Sequence, residues 1–235
     1  MRIIDCQQGT PEWWEARRGI PTASRFDSII TPKTAKPSAQ AWPYICELIA
    51  DRVLGTPMGV ESYTSRAMQD GIDCEPEARA WYALERDVEV RQVGFCVMDD
   101  GAAGCSPDGL IGDDGGLELK CPLAKTHVGY LLDGVLPTEY KCQVYASLVV
   151  TGRAWWDFAS YCLGFPPLVV RVTPDDFTAA LRGALDAFTG QYREATARFE
   201  ALGGFRLAAP AAPTISDEDA ALDMFTGKGG ECAKV

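Results

Sequence analysis

The sequence predicts a mixed α/β (α+β) domain with a central mixed β-sheet flanked by helices. Three observations carry this prediction: helical periodicity up to residue 86, short β-patterned runs between 88 and 121, and helical texture again from about 138. Near the N-terminus Thr10 precedes Pro11, a plausible N-cap and first helical residue, so a short helix starts there. Thr22-Ala23-Ser24-Arg25-Phe26 has the texture of a second helix start, running to about Ile30. Residues 31–40, with Pro32 and Pro37, read as a loop. Over 41–54, Tyr44, Ile45, Leu48, Ile49 and Val53 recur at helical spacing. A longer helix is expected over 64–86, with Met68, Ile72, Ala78, Trp81, Tyr82 and Leu84 on its apolar side. Pro76 should kink it or mark a restart.

The texture then changes. Residues 88–97 and 105–111 read as strands, Gly112-Asp113-Asp114-Gly115-Gly116 as a turn, and 116–121 as a further strand. A helix over about 138–151 precedes strands at 154–162 and 168–172. Pro174-Asp175-Asp176 opens a last helix with acid in its first turn. Phe177, Leu181, Leu185, Phe188, Tyr192 and Phe199 continue its apolar stripe to about Leu202. Residues 1–205 form the expected domain. Residues 206–235 differ: Ala208-Ala209-Pro210-Ala211-Ala212-Pro213 reads as a linker, followed by an acidic, solvated tail. The sharper reading of that tail docks Leu222, Met224 and Phe225 on a partner protein.

Composition narrows the chemistry. No apolar run approaches the length a membrane helix needs, and the N-terminus lacks the apolar core of a secretory signal, so a cytoplasmic protein is expected. Nine cysteines stand without a single Cys-x-x-Cys pair, which disfavours zinc or iron–sulfur sites and favours small buried hydrophobes. There is one histidine, His127, so a His-based zinc site or a Ser-His-Asp mechanism would rest on it alone; a core or solvated imidazole is the simpler expectation. Hydrolytic chemistry therefore points to carboxylates and a hard cation. The net charge of −11 opposes a nucleic-acid partner unless basic residues are confined to one groove.

Cys105-Ser106-Pro107-Asp108 and Glu118-Leu119-Lys120 carry that chemistry. If the 112–116 turn joins antiparallel strands, register arithmetic sets Asp108 opposite Lys120, with Glu118 diagonally beside it. Alternation puts Glu118 and Lys120 on one polar surface and turns Leu119 to the core. Two carboxylates suit Mg²⁺, which takes oxygen ligands at about 2.1 Å and keeps positions for phosphate and water. Such an ion activates water and stabilises attacking and leaving oxygens, while Lys120 orients the water or helps deprotonate it. Glu75 on the upstream helix offers a third carboxylate. Arg17-Arg18 followed by Ser24 offers a guanidinium fork and a hydroxyl for phosphate. Tyr140-Lys141-Cys142-Gln143 offers an amide and an amine near the water or phosphate.

Together these segments resemble the phage lambda exonuclease family, the YqaJ-type viral recombinases, within the Asp…Glu-x-Lys nuclease superfamily. The resemblance rests on Trp14-Glu15-Ala16-Arg17…Gly19…Thr22-Ala23-Ser24, Glu75…Ala78-Arg79, Ser106…Asp108…Glu118-Leu119-Lys120 and Gln143-Val144…Val150-Thr151, in that order. It implies a restriction-endonuclease-like core. It implies Asp108, Glu118 and Glu75 as metal ligands with Leu119 in the metal set, Lys120 as the catalytic lysine and Gln143 as the active-site amide. It also implies Arg17 (or its neighbour Arg18), Ser24 and Ser106 as the pocket for a DNA 5′-phosphate. The family activity is a Mg²⁺-dependent 5′→3′ exonuclease, with Mn²⁺ as a substitute, that digests one strand of linear duplex DNA and leaves 3′ overhangs. A ring-shaped homotrimer, a single-strand annealing protein as partner and a phage or prophage origin complete the implication. Two alternatives stay open: a structure- or sequence-directed endonuclease of the same superfamily, and an acidic scaffold with a decayed nuclease core.

Overall fold

The computed structural model describes residues 1–55 and 66–203. The chain runs through β1 (Arg2–Ile4), α1 (Pro11–Arg17), a 3₁₀ helix (Ala23–Ser28), α2 (Ala41–Leu54) and α3 (Arg66–Arg86). Short strands follow: β2 (Phe95–Val97), β3 (Gly104–Cys105), β4 (Gly109–Ile111) and β5 (Gly115–Lys120). Then come α4 (Ala124–Asp133), α5 (Thr138–Thr151), β6 (Trp155–Ser160), β7 (Leu168–Val172) and α6 (Asp176–Ala201). The linker at 208–213 and the acidic tail lie outside the described residues.

The strand-rich centre resolves into two sheets. One is antiparallel, in the order β1-β2-β3; the other, β4-β5-β6-β7, is mixed, with β5 and β6 parallel and its other pairs antiparallel. The run expected as one strand over 105–111 is divided between them. Pro107 has no N–H to give a ladder, so the chain leaves the first sheet after Cys105 and enters the second at Gly109. The strand expected over 88–97 is likewise reduced to β2 and a bridge between Arg91 and Leu110. Parallel strands need a crossover, and α4 with α5 provides it between β5 and β6. Neither α4 nor β1 was expected. Gly134, at φ 64° just after α4, ends that helix in the left-handed conformation.

The 22–30 segment is a 3₁₀ turn rather than an α-helix. Helix α3 continues unbroken through Pro76, so no restart occurs. Its expected apolar stripe is only partly buried: Ala78 and Tyr82 are in the core, while Ile72 and Leu84 are exposed at 52% and 85%. The predicted stripe of α6 is buried at Phe177, Leu181, Leu185 and Phe188, with Tyr192 and Phe199 half-buried against the same core. Asp175 is its N-cap, accepting from the N–H groups of Phe177 and Thr178.

Helix α5 is the structural axis. Val144, Ala146, Leu148, Val149 and Val150 are all buried, the pattern of a helix enclosed on every side. It joins Trp156 and Phe158 of the mixed sheet to Phe26 and to Leu181 and Leu185 of α6 in one core. The other face of the sheet, with Leu117, Leu119 and Ala159, packs on Ala78 and Tyr82 of α3. Asp157, on that side, is buried but bonded: Tyr82 donates at 2.7 Å and Arg171 donates twice, at 2.8 and 2.9 Å. His127 is a core histidine. Its Nε2 donates to the Pro166 carbonyl at 2.9 Å, which leaves Nδ1 to accept from the Ser160 hydroxyl at 2.7 Å. The eight described cysteines are free thiols; Cys96, Cys105 and Cys142 are buried as expected, whereas Cys46 is exposed.

Candidate active site

The β4–β5 register pairs Gly109 with Leu117 and Ile111 with Gly115. Extended by one residue, it sets Asp108 opposite Glu118 rather than opposite Lys120. The expected register was off by two, and an even slip keeps every side chain on its face. The Asp108 N–H donates to the Leu117 carbonyl at 3.1 Å. Where β4 stops, the Asp108 carboxylate takes over: Oδ2 accepts the Leu119 N–H at 2.6 Å.

Glu118 does not lie on an open polar surface. It is 2% exposed beneath α5, where Oε1 accepts from Lys120 Nζ at 2.6 Å and from Gln143 Nε2 at 2.5 Å. Gln143 is held by the enclosure of α5 and by the Ser147 hydroxyl, which donates to the Gln143 carbonyl. Burial pushes the Glu118 carboxyl up to about 7; Lys120 opposes the shift while Asp108 and Glu75 add to it. Asp108 and Glu75 are also raised by burial, and Asp108 is a further cause at Glu75. Burial lowers Lys120, but Glu118 and Asp108 outweigh it and leave the ammonium above its ordinary value. Its Nζ also lies 5.2 Å from the Tyr140 ring centroid.

Three carboxylates stand with the Lys120 ammonium and the Arg79 guanidinium, a formal excess of one negative charge; Asp108 raises both Glu75 and Glu118, and Glu75 raises Glu118. Among the described residues, no three His, Cys, Asp or Glu side chains stand close enough to enclose an ion unaided. The donor set fits a hard cation of the Mg²⁺ type, which binds through one or two carboxylates and completes its shell with substrate oxygens and water. The Leu119 side chain is 1% exposed and packs toward α3, so only its backbone faces this site.

A second cluster lies nearby. Arg17 Nη1 donates to Ser106 Oγ at 2.9 Å, and Trp13 Nε1 donates to the same oxygen at 2.8 Å. The Arg17 guanidinium also stacks 4.1 Å from the Trp13 ring centroid. Burial lowers its pKa to about 10, which leaves it charged at neutral pH. Arg18 is turned away and pairs with Glu15 at 2.5 Å. The structure therefore brings Arg17, and not Arg18, to Ser106. A parallel bridge between Thr22 and Gly104 runs the Ser24 segment alongside the chain leading to Ser106; the exposed Ser24 hydroxyl meets that of Thr22 at 3.4 Å. Lys141 is not part of the site, since its ammonium rests 4.1 Å from the Phe177 ring centroid.

A family model described as the YqaJ-like viral recombinase domain matches residues 12–154. The chain belongs to this family. Among solved structures, an alkaline exonuclease (LHK-Exo) from Laribacter hongkongensis is 34% identical, with 81% of this chain and 96% of that one covered and a TM-score of 0.71. Its complex with dAMP matches equally well. A phage-related exonuclease from Haemophilus somnus 129PT shares the fold at 10% identity, with 77% and 96% covered and a TM-score of 0.58. No curated protein matches the chain.

Within this YqaJ-like domain, sequence reasoning named Asp108, Glu118, Lys120, Gln143, Arg17 and Ser106 among the site residues, and the fold brings them into two neighbouring clusters. It gave no role to Trp13, Tyr140 or Arg79. The Arg79 Nε donates to the Asp108 carbonyl at 2.9 Å. Nothing in the local pattern of α3 marks that contact; only the packing of α3 on the sheet creates it.

Proposed function

We propose that this YqaJ-like chain is a Mg²⁺-dependent DNA exonuclease that degrades one strand of linear duplex from its 5′ end and leaves 3′ single-stranded overhangs. The observation that carries the reading is the convergence of Asp108, Glu118, Lys120 and Gln143, in a chain 34% identical to an alkaline exonuclease. Asp108 and Glu118 would hold the ion, with Mn²⁺ as a substitute. Leu119 can contribute only its backbone carbonyl, and Glu75 adds charge from α3. When bound, such a cation supplies Lewis acidity toward phosphate oxygens and water. Lys120, held as an ammonium, orients the attacking water and offsets charge on the phosphorane. Gln143 fixes the Glu118 carboxylate. Arg17 and Ser106, with Ser24 alongside, take the terminal 5′-phosphate, which sets the end from which digestion starts. We extend the reading to a homotrimeric ring around the duplex and to a single-strand annealing protein that receives the exposed strand.

With Mg²⁺, a linear 5′-phosphorylated duplex should yield mononucleotides and a long single strand, while an intact circle survives. Lys120→Ala should fold, bind Mg²⁺ and lose roughly 10²- to 10⁴-fold in rate. Cutting of the circle would replace this reading with the endonuclease one, and absence of Mg²⁺ binding would replace it with the scaffold.

A further inference from the structure

Arg79 is a cation with more donors than partners. Its side chain is 15% exposed, and Nε is spent on the Asp108 backbone carbonyl at 2.9 Å. The nearest carboxylate contact of its terminal nitrogens, Nη2 to Glu75 Oε2, is 3.9 Å, an ion pair beyond hydrogen-bond reach. Among the described residues no other acceptor engages those nitrogens, although a guanidinium carries five N–H donors in a rigid fork. Arg79 lines a cavity of about 340 Å³ with Glu75, Asp108, Gln7, Gln8 and Gln92. The guanidinium is partly exposed, so its terminal donors are open to a ligand or to solvent. Here the Nε contact fixes the plane of the fork while its far edge meets the same cavity as two carboxylates and bonds neither.

We propose that Arg79 is a substrate-contacting residue whose terminal nitrogens bind a non-bridging phosphate oxygen of the nucleotide held at Asp108 and Glu118. The assignment rests on the nuclease reading above for the identity of the anion. Phosphate matches the fork in geometry and charge, and the surrounding carboxylates require that the anion arrive with a cation of its own. A simple tether of α3 to β4 would need the Nε contact alone.

The test compares the full chain with Arg79→Lys and Arg79→Gln, using Mg²⁺, a 5′-phosphorylated duplex and free dAMP as probes. In Arg79→Gln, both KM and the dAMP inhibition constant should rise roughly 10- to 100-fold, the loss of a charge-assisted hydrogen bond. Mg²⁺ affinity by calorimetry should not move. The slope of log KM against log salt should fall by about 1, which a tether would not produce. Arg79→Lys should recover part of the loss, since it keeps the charge without the fork. Weaker Mg²⁺ binding with KM and dAMP inhibition unchanged would make Arg79 a tether and overturn the proposal. If Arg79→Gln does not fold, a wild-type KM and a wild-type dAMP inhibition constant in Arg79→Lys would overturn it equally. A wild-type chain inert on DNA that still binds dAMP through Arg79 would refute the nuclease reading and leave the phosphate contact standing.

Discussion

Glu118 sits beneath α5 with Lys120 and Gln143 on one oxygen, and burial still pushes its carboxyl up to about 7 from an ordinary 4.5. A carboxyl raised by folding holds its proton longer in the native state than in the unfolded chain. Its stabilising contribution is therefore complete below about 4.5 and lost as pH rises through about 7. The metal-free protein should lose thermal stability over that window, and Glu118→Gln should lose less. Mg²⁺ requires the ionised carboxylate, so its affinity should climb across the same window and binding should release protons. Calorimetry in buffers of different ionisation enthalpy checks both signs; pH-independent binding would show that Glu118 is not a ligand. The two adjacent arginines allow a second residue-level prediction. Arg17→Ala should reduce the preference for 5′-phosphate over 5′-hydroxyl ends by roughly 10- to 100-fold, because it removes a charged partner from Ser106. Arg18→Ala should keep the wild-type preference, since that guanidinium is committed to Glu15.

At the scale of elements, β5 is where sequence and packing are most tightly coupled. Its register sets Gly115 beside Trp155 and Gly116 beside Trp156, and a Cβ at those glycines would lie 2.1 and 2.2 Å from the indole rings. The glycines let two tryptophans lie across the strand that ends in Glu118 and Lys120. Gly116→Ala should cost about 1–3 kcal/mol by overpacking, whereas Gly183→Ala on α6, with nothing within 4 Å, should stabilise by about 0.5–1 kcal/mol. Urea melts of the two variants check the contrast; equal midpoints would mean that β5 and β6 do not pair as described. Turn chemistry at 112–116 was legible, but the number of residues it consumes was not. The turn is centred on Asp113 rather than Asp114, and that single residue shifts the pairing by two. The division of 105–111 between two sheets was half legible, because Pro107 announces a break without saying where the chain goes next.

The whole molecule carries a net charge of −11, so its affinity for DNA must come from local arrangement rather than overall attraction. The proposed ring would meet that requirement, since it would hold the duplex by enclosure. Light scattering on the purified protein should give three times the 25.5 kDa chain mass; a monomeric mass would remove the ring from the proposed function. The sequence by itself determined the residue types, the alternation that puts Asp108, Glu118 and Lys120 on one face, and the order of segments that marks the family. These are local properties, encoded in spacing along a strand or a helix. Only the tertiary structure decided that Glu118 is buried, that Gln143 reaches it, that Arg17 rather than Arg18 meets Ser106, and that Arg79 grips Asp108. Those contacts join residues 25, 89 and 29 positions apart. Which distant groups meet is fixed by how α5 and α3 pack on the sheet, and local periodicity carries no information about that packing.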